Sequence, residues 1–242
     1  MIYPSLTSRP SRDTHPTLDF ELWTLDLYRS AVPYLSYIIT ALAAYLLGSI
    51  PTGYLAAKAK GIDIRTVGSG NIGATNAMRV LGKPAGIAVL LVDALKGYLA
   101  VWLCHRILAN MEAEASVIAT SRIIAGICAI LGHNYTCWLK FKGGKGIATS
   151  AGVYLALAPL ALGIALAVFI FVVLTTRYVS IGSIAGALAL PLAVWATREN
   201  MLLRVVTIAI CALAIYKHRS NIQRLMAGTE SRIGANKKDS TK

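Results

Sequence analysis

The stretch YLSYIITALAAYLLGSIPTGYLAA, residues 34–57, is almost continuously apolar and contains no charged side chain. A helix that crosses a bilayer needs about 20 apolar residues, and this stretch is long enough. Comparable runs follow it at residues 84–103, 117–139, 147–158, 159–176, 181–195 and 201–216. With apolar residues at 56% and charged residues at 14% of the chain, this pattern predicts an all-α integral membrane protein.

The number of membrane helices depends on residues 147–176, which form either one helix or two helices broken near Pro159 and Gly163. With a break, the segments after the first, third, fifth and seventh helices carry most of the Lys and Arg, and most acids lie on the other side. Basic residues accumulate in cytoplasmic loops. The charge asymmetry therefore predicts seven transmembrane helices, with the N-terminus outside and the C-terminus in the cytoplasm.

The chain divides into three parts by composition. Residues 1–33 are polar and lack the basic start and apolar core of a secretory signal. We expect them to form a poorly ordered extension with a short amphipathic part at residues 20–28. Residues 34–220 are predicted to be the membrane domain, and residues 221–242 a basic cytoplasmic tail.

Two glycine-rich polar segments interrupt the apolar runs. GSGNIGATNAMRVLG, residues 68–82, has small residues that let several N–H groups approach one anion, and Arg79 adds a delocalised charge. FKGGKGIATSA, residues 141–151, places glycines and two lysines just before an apolar run. Helix N-termini hold phosphate in this way. Both segments fall on the predicted cytoplasmic side, so we expect anion sites at that face.

The predicted cytoplasmic face collects side chains suited to binding anions and positioning a hydroxyl group. They are Ser69, Asn71, Thr75, Asn76, Arg79, Lys142, Lys145, Ser180, Ser183, His218 and Asn221. Glycine rather than Ser or Thr follows Lys145, which argues against an ATP-binding Walker loop. Paired carboxylates are missing, and the four cysteines are scattered without metal-ligand spacing. We therefore expect no metal and no cofactor.

The formal charge of +13 is divided among short segments rather than gathered on one face. That distribution favours anionic lipid and phosphorylated substrates over nucleic acid. Four of these cations, Lys58, Lys60, Arg219 and Arg224, are interpreted as topology anchors.

Three titratable residues in the predicted spans have structural interpretations. Asp93 and Lys96 are three residues apart within one span, so we expect them to pair with each other. His133 is interpreted as a structural partner at a helix end, with lining of the pocket as its alternative.

Two classes of function fit this inventory. One is an enzyme that acts on phosphorylated substrates. The other is a membrane transporter or channel for an organic phosphate, which would use the same cations without chemistry. The polar residues crowd one edge of the spans, and the sequence contains no convincing internal repeat. Both observations favour the enzyme.

Four stretches, in order, carry a resemblance to a known family. They are GSIPTGYLAAKAKGIDIRTVGSGNIGATNAMRVLGKPAG (48–86), GHNYTCWLKFKGGKGIATSAG (132–152), RYVSIGS (177–183) and HRSNIQRLMAGTESRIG (218–234). Together they closely resemble the bacterial acyl-phosphate:glycerol-3-phosphate acyltransferase family, PlsY. In the second stretch Tyr135 and Thr136 stand where the family usually has Phe-Pro.

The resemblance implies a reaction and its setting. Members of the family transfer a fatty acyl group from acyl phosphate to the sn-1 hydroxyl of glycerol 3-phosphate. This first acylation of phospholipid synthesis forms lysophosphatidic acid and phosphate. The same partners are expected here, with membrane lipid, no nucleic acid and no obligate protein partner. The expected location is the bacterial cytoplasmic (inner) membrane, with the active site facing the cytoplasm.

The resemblance also implies roles for individual residues. Ser69, Lys145 and His218 are the expected catalytic residues. The expected substrate-binding residues are Asn71, Asn76, Arg79, Gly143, Gly144, Gly146, Ser183 and Asn221.

Overall fold

The computed structural model describes residues 16–234. Within this range all regular structure is helical, which confirms the predicted all-α class. The α-helices are α1 (Pro16–Ser49), α2 (Thr52–Lys58), α3 (Ala74–Leu81), α4 (Lys83–Asn110), α5 (Ala115–Asn134), α6 (Ile147–Leu157), α7 (Pro159–Thr176), α8 (Val179–Ala196), α9 (Met201–Lys217) and α10 (Arg219–Met226). Residues 1–15 and 235–242, which belong to the two predicted end segments, lie outside the described range, and residues 16–33 form the first part of α1.

Five helical stretches of the described chain are long and apolar enough to cross a membrane. They are Pro33–Lys58, Lys83–Asn110, Ala115–Leu139, Pro159–Thr176 and Val179–Ala196. α9 and α10 provide a sixth if they count as one span bent by 50°. α6 is apolar but has only 11 residues. The protein is thus a multi-pass membrane protein, while the count of seven crossings stays a prediction.

Residues 147–176 form two helices, and the break lies at the first of the two predicted positions. Ala158 leaves the helical conformation with φ −149° and ψ 72°, and Pro159 stands in the first turn of α7. Proline is well tolerated there because its missing N–H would have had no partner within the helix. Gly163 lies inside α7. α6 packs mainly on α4 and α7 mainly on α8, so the two helices have different neighbours.

Glycines bring two pairs of helices into backbone contact. Gly48 and Gly132 lie in the contact between α1 and α5, and Gly97 and Gly152 lie in the contact between α4 and α6. A Cβ atom on Gly152 would lie 1.8 Å from the carbonyl oxygen of Ala94. Small residues allow this approach in membrane bundles. The contact between α4 and α6 includes Thr149 in the first turn of α6, which follows the polar loop.

One end of the bundle collects the chain segments that form the functional site. Residues from the first turns of α6 and α8 line the same cavity as the last turn of α5 and the residue that follows α9. α1 also ends nearby, since the carbonyl oxygen of Ser49 accepts a hydrogen bond of 2.6 Å from the hydroxyl of Thr136, just after α5. α1, α5 and α9 therefore end at this end of the bundle, and α6 and α8 begin there.

Candidate active site

The loop between α2 and α3 is organised by the side chain of Asn76. Its amide nitrogen donates to the carbonyl oxygens of Ile64, Val67 and Asn71 at 3.3, 3.1 and 2.9 Å, and its oxygen accepts the N–H of Ser69 at 2.8 Å. The side chain is buried, and its polar atoms are bonded within its own loop. These bonds hold the shape of the loop, and the substrate-binding role that the family resemblance implies for Asn76 stays a prediction.

The same loop presents Ser69 and Asn71 to the interior of the site. Gly68 and Gly70 have φ angles of 61° and 68°, which glycine adopts without strain and which turn the chain sharply here. The side-chain oxygen of Asn71 accepts the N–H of Gly73 at 2.9 Å. The side-chain nitrogen of Asn71, a hydrogen-bond donor, therefore points away from Gly73.

The glycine–lysine loop, residues 143–146, lies directly on the end of α5. The N–H groups of Gly143 and Gly144 donate to the carbonyl oxygens of Asn134 and His133 at 3.2 and 3.0 Å. Both N–H groups are thus engaged within the protein, and the substrate-binding role that the resemblance implies for Gly143 and Gly144 stays a prediction. Glycine at these positions lets the loop lie against the end of α5. A Cβ on Gly144 would lie 2.1 Å from Nε2 of His133.

Lys145 and Gly146 lead from this loop into α6. Gly146 has a φ of 82° and immediately precedes the first helical residue. The positive end of the α6 dipole therefore lies at the site. The ammonium group of Lys145 contacts the side-chain oxygen of Asn221 on α10.

The junction of α9 and α10 supplies the third part of the site. Nδ1 of the buried His218 lies 2.7 Å from the carbonyl oxygen of Ala214. Because a carbonyl can only accept, Nδ1 carries a proton, and in the neutral imidazole Nε2 has the free lone pair. Asn221 donates from its amide nitrogen to Glu230 at 2.7 Å, which turns its oxygen toward Lys145.

These segments meet around one polar cavity of about 140 Å³. Of the residues with an expected catalytic or substrate-binding role, all but two line the cavity: Ser69, Asn71, Asn76, Arg79, Lys145, Gly146, Ser183, His218 and Asn221. The remaining two, Gly143 and Gly144, line an adjoining polar cleft that shares Ser69, Asn71 and Lys145 with the cavity. The structure therefore brings the predicted residues together from separate parts of the chain.

An apolar cavity of about 340 Å³ adjoins the polar one, between α4 and the helices α6 to α9. Leu90, Ile147, Ala148, Phe169 and Ser183 line both cavities. A ligand with a phosphate head and a hydrocarbon chain fits this pair of cavities, with the head among cations and the chain among apolar side chains.

Arg79 and Lys145 face two carboxylates, Asp93 and Glu230, around the polar cavity. Burial lowers the pKa of Lys145 to about 8, the negative charge of Glu230 opposes this shift, and the positive charges of Arg224 and Arg79 add to it. An arriving anion would favour the charged form of Lys145.

Within the described residues, no three His, Cys, Asp or Glu side chains are placed to hold a metal ion.

The sequence predicts no role for Glu230, a charged residue that lines the cavity. It is the single acid among residues 218–234, and this isolation in a basic segment is the signal that could have identified it.

The predicted pair of Asp93 and Lys96 is confirmed by a distance of 2.9 Å between the ammonium nitrogen and the carboxylate oxygen. His133 lines the cavity, which was the alternative considered for it.

Cationic and hydroxyl groups beside a hydrocarbon-lined cavity, at one end of a membrane helix bundle, define a membrane protein that handles phosphorylated lipid precursors. A family model for glycerol-3-phosphate acyltransferase matches residues 38–228. The chain is 50% identical over 201 residues to the glycerol-3-phosphate acyltransferase of Geobacter sulfurreducens, covering 83% of this chain and 100% of that one. It is 48% identical over 196 residues to the enzyme of the same name from Geotalea daltonii, covering 81% and 97%.

Solved structures show the same relationship. The crystal structure of PlsY (YgiH), an integral membrane glycerol 3-phosphate acyltransferase, in its glycerol 3-phosphate form, matches with a TM-score of 0.74 at 39% identity, covering 82% of this chain and 96% of that chain. Its lysophosphatidic acid form matches with a TM-score of 0.71 at 38% identity, covering the same shares of the two chains.

The chain belongs to the glycerol-3-phosphate acyltransferase family. This membership confirms the predicted family and the predicted class of enzyme, an acyltransferase. Together with the apolar helices, it identifies a multi-pass bacterial membrane protein. Of the two functions weighed from the sequence, it supports the enzyme rather than the transporter.

Proposed function

We propose that this chain transfers a fatty acyl group from acyl phosphate to the sn-1 hydroxyl of glycerol 3-phosphate. The products are lysophosphatidic acid and inorganic phosphate, and the reaction is the first acylation of phospholipid synthesis. The observation that carries the proposal is the junction of the polar and apolar cavities at Ile147, Ala148 and Phe169. A reacting carbonyl group at this junction has its phosphate on the polar side and its chain on the apolar side.

The acyl phosphate is held by Lys145 and the first turn of α6. Its hydrocarbon chain extends into the apolar cavity, which a donor can enter from the bilayer. As the bond to phosphate breaks, the leaving group gains negative charge. The ammonium group of Lys145 and the positive end of the α6 dipole stabilise that charge in the transition state.

Glycerol 3-phosphate is held in the same polar cavity by Arg79 and Asn71. A guanidinium fork matches two phosphate oxygens at once, and the free amide nitrogen of Asn71 adds another donor. Ser69 orients the attacking hydroxyl group. The hydroxyl of Ser183 donates to the carbonyl oxygen of Val179 at 2.9 Å, so its oxygen can only accept from a substrate hydroxyl.

The chemical step is a direct displacement. The sn-1 oxygen attacks the carbonyl carbon and forms the ester bond, while the bond from that carbon to the phosphate oxygen breaks and phosphate leaves with the electron pair. The hydroxyl proton passes to Nε2 of His218 and then to the departing phosphate. Acyl phosphate is a mixed anhydride and already activated, so the step needs no enzyme nucleophile, metal or cofactor.

The site faces the cytoplasm of the inner membrane in this proposal, with seven crossings formed by α1 and α4 to α9. The alternation of helix ends at the site and the basic residues gathered there support it. A reporter domain fused to the C-terminus tests the orientation. A cytoplasmic signal is expected, and an external signal would contradict it.

Phosphate release from palmitoyl phosphate by the purified protein in detergent tests the function. Release is expected to depend on added glycerol 3-phosphate. Folded protein that releases no phosphate under these conditions would contradict the proposal and favour the organic phosphate transporter.

A further inference from the structure

A buried polar cluster lies beneath the glycine–lysine loop. The ammonium nitrogen of Lys96 lies 2.9 Å from a carboxylate oxygen of Asp93 and donates to the carbonyl oxygen of Ile50 at 2.8 Å. The hydroxyl of Thr52 donates to the same carboxylate oxygen at 3.0 Å. Asp93 and Lys96 are only 2% and 4% exposed. The cluster therefore ties α4 to the break between α1 and α2, at the desolvation cost of two buried charges.

The cluster continues to His133 at the end of α5. Nδ1 of His133 lies 3.6 Å from the carboxylate oxygen of Asp93. The backbone carbonyl of His133 accepts the N–H of Gly144 at 3.0 Å. Its Nε2 atom lies so close to Gly144 that an added Cβ would be 2.1 Å away. The imidazole ring is therefore the surface on which the loop carrying Lys145 lies.

We propose that Asp93 and His133 are positioning residues for Lys145, an inference that rests on the proposed function. The carboxylate of Asp93, held by Lys96 and Thr52, lies beside Nδ1 of the imidazole, a buried atom with no hydrogen-bond partner among the described residues. The imidazole and its backbone carbonyl fix Gly144, and the next residue is Lys145. The buried pair thus sets the distance between the Lys145 ammonium group and the phosphate of the acyl donor. A misplacement of about 1 Å can lower a rate about 100-fold.

If the cluster had a purely structural role, changes in it would affect unfolding but not the kinetics. Three variants separate the structural role from the positioning role. His133→Phe keeps a ring beneath Gly144 but removes the nitrogen facing Asp93. Thr52→Val keeps the shape of its side chain but removes the donor to Asp93. Tyr154→Phe is the matched control, since the Tyr154 hydroxyl donates to Thr207 at 2.7 Å in the buried core and neither residue lines the polar or the apolar cavity.

The experiment measures kcat and both KM values of the full chain in detergent, together with its thermal unfolding. For His133→Phe we expect kcat/KM for palmitoyl phosphate to fall about tenfold or more, with KM for glycerol 3-phosphate within about twofold of wild type. Thr52→Val is expected to change the same parameters in the same direction by a smaller factor. Tyr154→Phe is expected to lower the unfolding temperature and leave both KM values unchanged.

Binding of inorganic phosphate, followed by its shift of the unfolding temperature, gives a readout without turnover. Phosphate is expected to stabilise His133→Phe less than it stabilises wild type and Tyr154→Phe. Unchanged kinetics and phosphate binding in His133→Phe, or in Thr52→Val if the first variant does not fold, would overturn the inference. Wild-type protein without acyl transfer would contradict the proposed function instead, so the two failures are distinguishable.

Discussion

Asn221 donates a hydrogen bond of 2.7 Å from its side-chain amide to the carboxylate of Glu230. Because the amide nitrogen is committed to Glu230, the amide oxygen faces Lys145. The segment that carries Glu230 is also attached to the end of α7, since the N–H of Ile233 donates to the carbonyl oxygen of Arg177 at 2.8 Å. The chain that follows α10 is therefore part of the site.

The charge of Lys145 is expected to set an upper pH limit on activity. Burial lowers its pKa to about 8, so the ammonium group loses its proton as the pH rises through this value. Because kcat/KM reports the free enzyme, kcat/KM for palmitoyl phosphate should fall above this pH. The negative charge of Glu230 raises the pKa of Lys145, so Glu230→Gln should shift the fall to lower pH.

Profiles of kcat/KM against pH check this prediction. Glu114→Gln, an exposed residue before the first turn of α5 at the far end of the bundle, is the matched control. A Glu230→Gln profile that superposes on the wild-type profile would show that this carboxylate does not influence Lys145.

Removing each of the two site cations should lower kcat/KM for a different substrate. Lys145→Ala should cost about 3 kcal/mol of transition-state stabilisation, or two orders of magnitude in kcat/KM for acyl phosphate. Arg79→Ala should have a similar effect on kcat/KM for glycerol 3-phosphate. Steady-state kinetics with each substrate varied will show this division. Lys142→Ala, an exposed neighbour in the same segment, is the control, and near-normal turnover in either site variant would refute the role of that cation.

His218→Ala tests the path of the proton. If Nε2 of His218 accepts the proton of the attacking hydroxyl, kcat should fall about 100-fold or more, since general base catalysis contributes effects of this size. Single-turnover rates measure the step directly. His105→Ala, exposed near the end of α4, should behave as wild type. A His218→Ala rate within about threefold of wild type would mean that a substrate phosphate takes the proton itself.

The contact between α4 and α6 should tolerate no added side chain. A Cβ on Gly152 would lie 1.8 Å from the carbonyl oxygen of Ala94, so Gly152→Ala must push the helices apart. Overpacking of this kind costs about 1 to 3 kcal/mol. Thermal unfolding in detergent measures the loss. Gly163→Ala is the matched control inside α7, where no atom lies within 4 Å of the added Cβ, and equal unfolding temperatures for the two variants would contradict this account of the packing.

Much of the fold could be predicted because membrane helices leave a simple signal. The apolar run at residues 34–57 and its successors identify the spans, and Pro159 marks the break between α6 and α7 because proline favours a first helical turn. The number of crossings is harder to predict, because a helix of 11 residues such as α6 is shorter than a bilayer requires.

From residue chemistry alone the site was predictable only as a set of residue types, and the family resemblance supplied the individual positions. Serines, glycines and cations in polar loops indicate an anion site, and those residues do converge. The hydrogen bonds could not be predicted, because they depend on how distant segments pack. Asn76 is committed to its own loop, and the amides of Gly143 and Gly144 are committed to α5. Glu230 enters the site only because the chain after α10 folds back onto the end of α7.

The fate of labelled glycerol 3-phosphate, incubated with the purified protein and palmitoyl phosphate, tests whether the protein transfers the acyl group. We expect labelled lysophosphatidic acid acylated at the sn-1 position, with one phosphate released for each molecule formed, and formation about 100-fold slower with the Lys145→Ala control. Phosphate release without labelled lysophosphatidic acid, or no reaction by folded protein, would contradict the proposed acyl transfer.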